Sequence, residues 1–355
     1  MRAILSQSGI KAHVMCFLFE RSSLSETTRG LNEAVADGKV WNPGESIKDS
    51  GGCLTCSVPR SHRFKAAGLS LPDLLMIKGE HPIVPAPPLS PGIEVAGEIT
   101  AVGDGVPFNV GDRVMAITSF LKGWGGLAEY CIAEAGRAVR VPAAMSDVEA
   151  AGFVVSFTNA YVALVQRTHL RKGESLLVLG ASGSSGSTAI QLGKALGAKV
   201  IAVSSSDPKL DFCRTMGADE VLSYRDGDIA PKVKDLTQGS GVDVVFDPVG
   251  GTLGNQATQC LARHGRFGLI GYASGSWVKL DPLDMVLKDY SVVGILSGFL
   301  PPQEFSAVSS VLIDLVKAGK IRTPVTKTVA FSDAPSALSE MEKGELPGKI
   351  VIKGV

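Results

Sequence analysis

The stretch "LLVLGASGSSGSTAIQLGKALGAKVIAVSSSD", residues 176–207, constrains the fold more than any other part of the chain. Residues 175–179 form an apolar run without polar alternation, as a strand buried on both faces requires. A glycine-rich turn follows at 180–186. Ile190, Leu192, Ala195 and Leu196 then recur at roughly helical spacing, and residues 199–203 make a second strand. Strand, tight turn, helix and strand in about 30 residues is a βαβ unit, whose strands must lie parallel.

The alternation continues. "EVLSY" predicts a third strand ending at Tyr224, "VDVVFD" a fourth ending at Asp247, "RFGLIGY" a fifth and "SVVGIL" a sixth. Helical stretches separate most of them, and one is expected to start at Asp207-Pro208, with Asp as N-cap and Pro in the first helical position. The fold class is therefore α/β, a doubly wound parallel sheet with ligand sites at the carboxyl ends of its strands. Residues 62–145 read differently. "IEVAGEITAVGDGV", "VGDRVMAI" and "GGLAEYCIAEAGRAVRVP" are short strands broken by glycine turns, which implies a β-rich domain ahead of the α/β one. The tail segments "TPVTKTVAF" and "GKIVIKG" return to strand pattern after a helix near 304–318. The expected organisation is a β-rich domain over 1–154, a dinucleotide-type domain over 155–296, and a return to the first domain over 297–355. Residues 11–61 carry little pattern and read as loop with one helix near 31–36.

Composition excludes several classes. Lys plus Arg equals Asp plus Glu, 35 against 35, so the chain lacks the basic excess of a nucleic-acid binder. No apolar run reaches the roughly 18 residues that span a membrane. The amino-terminal apolar piece is short and lacks a small-residue cleavage site, unlike a signal peptide. Cys16, Cys53, Cys56, Cys131, Cys213 and Cys260 are mostly scattered, as reduced thiols of a cytoplasmic protein would be.

A turn entering a helix from a parallel strand offers unpaired N–H groups and a positive dipole end to an anion. Here the turn is Gly180-Ala181-Ser182-Gly183-Ser184-Ser185-Gly186, a G-x-x-G-x-x-G rather than the usual G-x-G-x-x-G. Glycines also serve close helix–strand packing, but the flanking strands favour a dinucleotide pyrophosphate. NAD sites place an acidic residue at the end of the second strand. This strand ends in Ser204-Ser205-Ser206 instead, with Lys209 just beyond, and Tyr224 ends the next strand. An uncharged run and a nearby lysine point to NADPH.

With these segments in hand, the sequence resembles the medium-chain dehydrogenase/reductases, in their zinc-free quinone oxidoreductase (zeta-crystallin-like) branch. The resemblance rests on "AAGLSLPDLLMIKG", "PGIEVAGEITAVGDGV", "VGDRVMA", "GGLAEYC", the glycine-turn stretch, "GADEVLSYRD", "GVDVVFDPVGG" and "GKIVI" in matching order over about residues 64–355. It implies a GroES-like catalytic domain joined to a Rossmann domain. The implied activity is hydride transfer from NADPH to a quinone or other small conjugated carbonyl, with a homodimer or homotetramer as the assembly. Position by position, it implies that Ser182, Gly183, Ser184, Ser185 and Gly186 hold the pyrophosphate. Ser205, Lys209 and Tyr224 match the 2′-phosphate positions. Val249, Ile270, Gly271, Leu296, Ser297, Gly298 and Asn159 match those toward the nicotinamide. Where relatives often carry asparagine in "AAG-x-N", this chain has Ser70, a candidate substrate-side donor. The alternative for Ser70 is a turn hydroxyl, and Asp73 reads as the cap of a helix starting near Leu74. Where some relatives carry tyrosine, it has Leu75.

No metal site is expected. The zinc members' G-H-E is here Gly92-Ile93-Glu94, and isoleucine cannot ligate a metal. Cys53-x-x-Cys56 lacks a second pair at zinc-ribbon distance and reads as free thiols in a loop. Two rival functions stand beside quinone reduction: 2-alkenal or enone reduction, and NADPH binding with little catalysis.

Overall fold

The computed structural model describes residues 53–56, 65–84, 89–103, 105–128 and 130–354. In chain order its strands are β1 (Cys53–Cys56), β2 (Ala66–Gly68), β3 (Glu94–Val102), β4 (Arg113–Thr118), β5 (Cys131–Arg140), β6 (Ser175–Val178), β7 (Lys199–Ser204), β8 (Glu220–Ser223), β9 (Val242–Asp247), β10 (Leu261–Leu269), β11 (Ser291–Gly294), β12 (Val325–Ala330) and β13 (Lys349–Lys353). Its helices are α1 (Leu71–Lys78), α2 (Asp147–Ala151), α3 (Val154–Tyr161), α4 (Ser184–Ala195), α5 (Asp207–Thr215), α6 (Ile229–Leu236), α7 (Gly251–Thr258), α8 (Pro282–Lys288), α9 (Pro302–Lys317) and α10 (Ala334–Lys343). Helix α3 runs into a π-helical turn over Val162–Arg167.

The apolar runs become a six-stranded sheet in the order β11-β10-β9-β6-β7-β8, with every neighbouring pair parallel. The absence of alternation in the sequence has a direct cause. Leu177, Ile201, Val203, Val245 and Phe267 pack into one cluster with Ile229 and Val233 of α6. Leu176, Val178, Val200, Ala202 and Val244, one residue out of phase and so on the opposite face, are as fully buried. At roughly 1.5–3 kcal/mol per large apolar side chain removed from water, this burial is the main stabilising term of the unit.

The other sheet is largely antiparallel, in the order β1-β5-β4-β3-β2-β13-β12, with β1 also pairing β3. Its core includes Leu74, Ile77, Val95, Ile99, Val114, Leu127 and Ile352. The doubly wound parallel sheet and the separate β-rich domain are the fold class expected from the sequence.

Three expectations are corrected. By contacts the chain divides after Val154, but residues 297–326 belong with Val155–Thr326, not with the first domain. The reason is α9, which buries Phe305, Val308 and Leu312, and Arg322, whose N–H donates to Oε1 of Gln191 on α4 (2.9 Å). Residues Gly344–Lys349 also belong to this second unit. Second, Cys53–Cys56 is strand rather than loop, held by β5 in the register Cys53↔Glu134 to Cys56↔Cys131. The helix expected near 31–36 lies outside the described residues. Third, two helices start earlier than their apolar residues suggest. Ser206, in extended conformation, is the N-cap of α5, so Asp207 occupies the first turn. Likewise α1 begins at Leu71, with Ser70 as N-cap.

Candidate functional site

In the second unit the residues singled out by sequence gather where the parallel strands end. Residues 180–186 follow β6, Ser205 follows β7, Tyr224 follows β8, Val249 lies two residues past β9, Ile270 and Gly271 follow β10, and Leu296, Ser297 and Gly298 lie just past β11. Parallel strands share one polarity, so six loops far apart in sequence are brought to one edge.

The turn itself is tightly built. Gly180 has φ +55°, and a Cβ there would stand 2.7 Å from Cγ2 of Val249. A Cβ at Gly186 would lie 2.4 Å from the Gly180 carbonyl oxygen and 2.6 Å from Cα of Ala181, against backbone that has no room to yield. At Gly183 it would meet only the Gly180 oxygen, at 3.3 Å. Gly183 is the N-cap of α4 and carries no side-chain cap. The first N–H bonded back along the helix is that of Ser187, to Gly183 (2.9 Å). The N–H groups of Ser184, Ser185 and Gly186 precede it and have no partner within the helix. Three donors, a helix dipole and a glycine cap form a cradle for an anion. The Ser184 hydroxyl is not turned over to that cradle alone: it lies 2.8 Å from the Ser156 hydroxyl on α3. Thr188 reinforces the junction by donating to the Ser156 carbonyl (3.3 Å).

Beside the turn, Ser204 donates to the buried Ser182 hydroxyl (2.8 Å), tying the end of β7 to the loop after β6. The register Ser204↔Ser223 sets the end of β7 beside that of β8. Strand β8 ends there, and Tyr224 opens a short 3₁₀ turn over Tyr224–Asp226, half-exposed, instead of ending the strand. Lys209, on the first turn of α5, reaches back: its Nζ donates to the Ser205 hydroxyl (3.2 Å) and to the Gly344 carbonyl (2.5 Å). Partial burial holds its pKa below that of a free lysine; Arg225 acts in the same direction and Glu345 opposes. Neither Gly344, Glu345 nor Arg225 was singled out by sequence. Arg225 adjoins Tyr224 and carried a signal; Gly344 and Glu345, far along the chain, carried none.

On the other side Asp247 organises the loops. Its Oδ1 accepts the N–H groups of Val249 and Gly250 (2.8 Å each), and its main-chain oxygen accepts those of Ile270 (2.9 Å) and Gly271 (3.2 Å). The N–H groups at 270 and 271 are thus engaged within the fold, and these residues have only carbonyls to offer a ligand. Asp247 is fully buried, and its Oδ2 has no partner among the described residues. Burial pushes its carboxyl above the usual range despite the N–H groups of Gly250 and Val249. Asn159 is half-buried on α3, three residues after Ser156, and so shares the face that meets the start of α4.

In the first unit Ser70 is committed to a helix cap. Its N–H (2.8 Å) and hydroxyl (2.7 Å) both donate to Oδ2 of Asp73. The other oxygen of Asp73 accepts the N–H groups of Gly92 (2.8 Å) and Ile93 (3.1 Å). Asp73 is therefore a buried clamp between α1 and the approach to β3, not the N-cap of a helix starting at Leu74. The Ser70 proton lies on that clamp, which disfavours the substrate-donor role and supports the structural one. Ile93 is buried. No group of three or more His, Cys, Asp or Glu able to hold a metal occurs among the described residues, and no described helix is long and apolar enough to cross a membrane.

Residues 63–143 match the family model described as the alcohol dehydrogenase GroES-like domain, and residues 186–314 the one described as zinc-binding dehydrogenase. A quinone oxidoreductase-like protein 2 homolog of Nematostella vectensis is 30% identical over 293 residues, which is 81% of this chain and 79% of that protein. A 2-haloacrylate reductase from a Burkholderia species is 31% identical over 303 residues, 82% of this chain and 89% of the relative. The structure of Escherichia coli quinone oxidoreductase complexed with NADPH superposes with TM-score 0.77 at 27% identity, covering 87% of this chain and 94% of that one.

Proposed function

Because the chain belongs to the medium-chain dehydrogenase/reductase superfamily, in its zinc-free quinone oxidoreductase branch, we propose that it is an NADPH-dependent oxidoreductase that delivers hydride to a quinone-type acceptor without a metal. The observation that carries this reading is the cradle at residues 180–186. Three N–H donors there converge at the start of α4, and the Gly183 cap leaves the approach to them free of a side chain.

The nicotinamide supplies the hydride when the cofactor is bound. The chain's own residues bind and orient. The N–H groups of Ser184, Ser185 and Gly186, with Ser182 and Gly183 beside them, receive the pyrophosphate. Ser205, Lys209 and Tyr224 receive the adenosine 2′-phosphate, with Lys209 the charged donor. Val249, the carbonyls of Ile270 and Gly271, and the backbone of Leu296, Ser297 and Gly298 line the nicotinamide end with Asn159. Reduction of a quinone by hydride also requires a proton. Ser70 donates its own proton to Asp73, so in this account the proton comes from solvent.

A conjugated alkene acceptor is kept as a second reading by the relative named as a 2-haloacrylate reductase. NADPH oxidation followed at steady state with a quinone and with an enal tests both. Turnover of the quinone at the higher kcat/KM supports the first reading, and preference for the enal supports the second. Tight NADPH binding with turnover of neither would contradict both and leave a cofactor-binding protein.

A further inference from the structure

The segment that meets Lys209 is fixed in place from its far end. The Gly348 N–H donates to the Ser182 carbonyl (2.7 Å), inside the glycine turn, and the Lys349 N–H donates to Pro324 (2.8 Å). Gly348 and Gly183 form an isolated parallel bridge, and Thr326 donates to the Pro347 carbonyl. Gly348 has φ +71°, where a Cβ would stand 2.4 Å from the Pro324 oxygen. These contacts hold residues 344–347 beside the end of β7. There the Gly344 carbonyl takes the Lys209 ammonium at 2.5 Å, and the next residue is the exposed Glu345. Its charge reaches Lys209, opposing the effect of Arg225. Lys209, bonded beside the end of β7, thus feels a second cation and a carboxylate, and a dianionic group entering there meets the charge of Glu345 as well as that of Lys209.

We propose that Glu345 is a specificity-determining residue that holds down affinity for the 2′-phosphorylated cofactor and so narrows the preference for NADPH over NADH. The inference rests on the reading of Lys209 as the 2′-phosphate partner. NADH lacks the added charge and is indifferent to Glu345. In a partly solvated site, removing one nearby negative charge is expected to change affinity by about three- to tenfold at low salt.

The test is fluorescence titration of NADPH and NADH into the full chain as parent, Glu345→Gln, Glu345→Asp and Lys209→Met. Glu345→Gln is expected to bind NADPH about three- to tenfold tighter with NADH unchanged. Glu345→Asp, which keeps the charge, should retain the parent ratio, and added salt should shrink the Gln effect. A selective NADPH loss in Lys209→Met with no change of ratio in Glu345→Gln would overturn this inference alone. An equal loss of both cofactors in Lys209→Met would overturn the 2′-phosphate reading and this inference with it.

Discussion

The Lys209 ammonium donates to the Gly344 carbonyl, 135 residues further along the chain, at 2.5 Å. The cation therefore waits in position, held by Gly344 and Ser205 and half-withdrawn from water. Its pKa is lowered by burial and then by Arg225, with Glu345 opposing. Only the protonated form can pair with a phosphate. NADPH affinity is expected to fall as pH rises through the folded pKa of Lys209, beginning at lower pH than for an exposed lysine. NADH affinity should not follow. Lys209→Arg, which stays charged across that range, should flatten the NADPH profile. Binding titrations at a series of alkaline pH values check this, and parallel profiles for the two cofactors would contradict it.

The Asp73 clamp gives a prediction about the first unit. One buried carboxylate accepts from Ser70 twice and from Gly92 and Ile93 once each. Asp73→Ala leaves two buried backbone N–H groups and the α1 cap without their acceptor. Hydrogen bonds to charged groups contribute about 1.5–3 kcal/mol each, and their loss is not additive, so a destabilisation of about 3 kcal/mol or more is expected. Ser70→Ala should cost about 1 kcal/mol. Thermal melts of both variants measure the order. Equal, small shifts would show that the clamp contributes little.

Chelation tests the metal-free proposal. Ile93 is buried with its N–H on Asp73, and its side chain has no donor atom. Dialysis against a strong chelator is expected to leave turnover unchanged. A large loss restored specifically by zinc would contradict the proposal.

Two glycines of the turn, three residues apart, should fail in different ways. A Cβ at Gly186 strikes backbone at 2.4 Å and 2.6 Å, so Gly186→Ala is expected to destabilise the second unit. A Cβ at Gly183 meets one oxygen at 3.3 Å, so substitution there should spare the fold. Melting curves of the two variants give the comparison, and an unchanged melt for Gly186→Ala would contradict it.

The second unit was legible because its signals are local. A run such as 176–179 is apolar throughout since both faces of β6 are covered, and the turn follows within the same stretch. The assignment of the tail was not local. Helix α9 shows one apolar face in sequence, but nothing in that face says which unit it packs on; Phe305 and the Arg322–Gln191 bond decide it. The same limit hid the partners of the site residues. Lys209 was visible, Gly344 and Glu345 were not, because the contact closes over 135 residues. Ser184 was visible, its neighbour Ser156 was not, for the same reason. Cys53–Cys56 lacks the alternation of a strand and is one through its pairing with β5 and β3.

Whether NADPH sits on the turn at 180–186 is decided by NADPH titration of Gly183→Leu against the parent, with a thermal melt of each. The leucine side chain would stand at the cap of α4, in front of the N–H groups of Ser184, Ser185 and Gly186. The expected result is an unchanged melt with NADPH affinity lowered by a hundredfold or more, about 2.7 kcal/mol or above. A Gly183→Leu protein that melts like the parent and binds NADPH like the parent would contradict the claim, because the cofactor would then lie elsewhere.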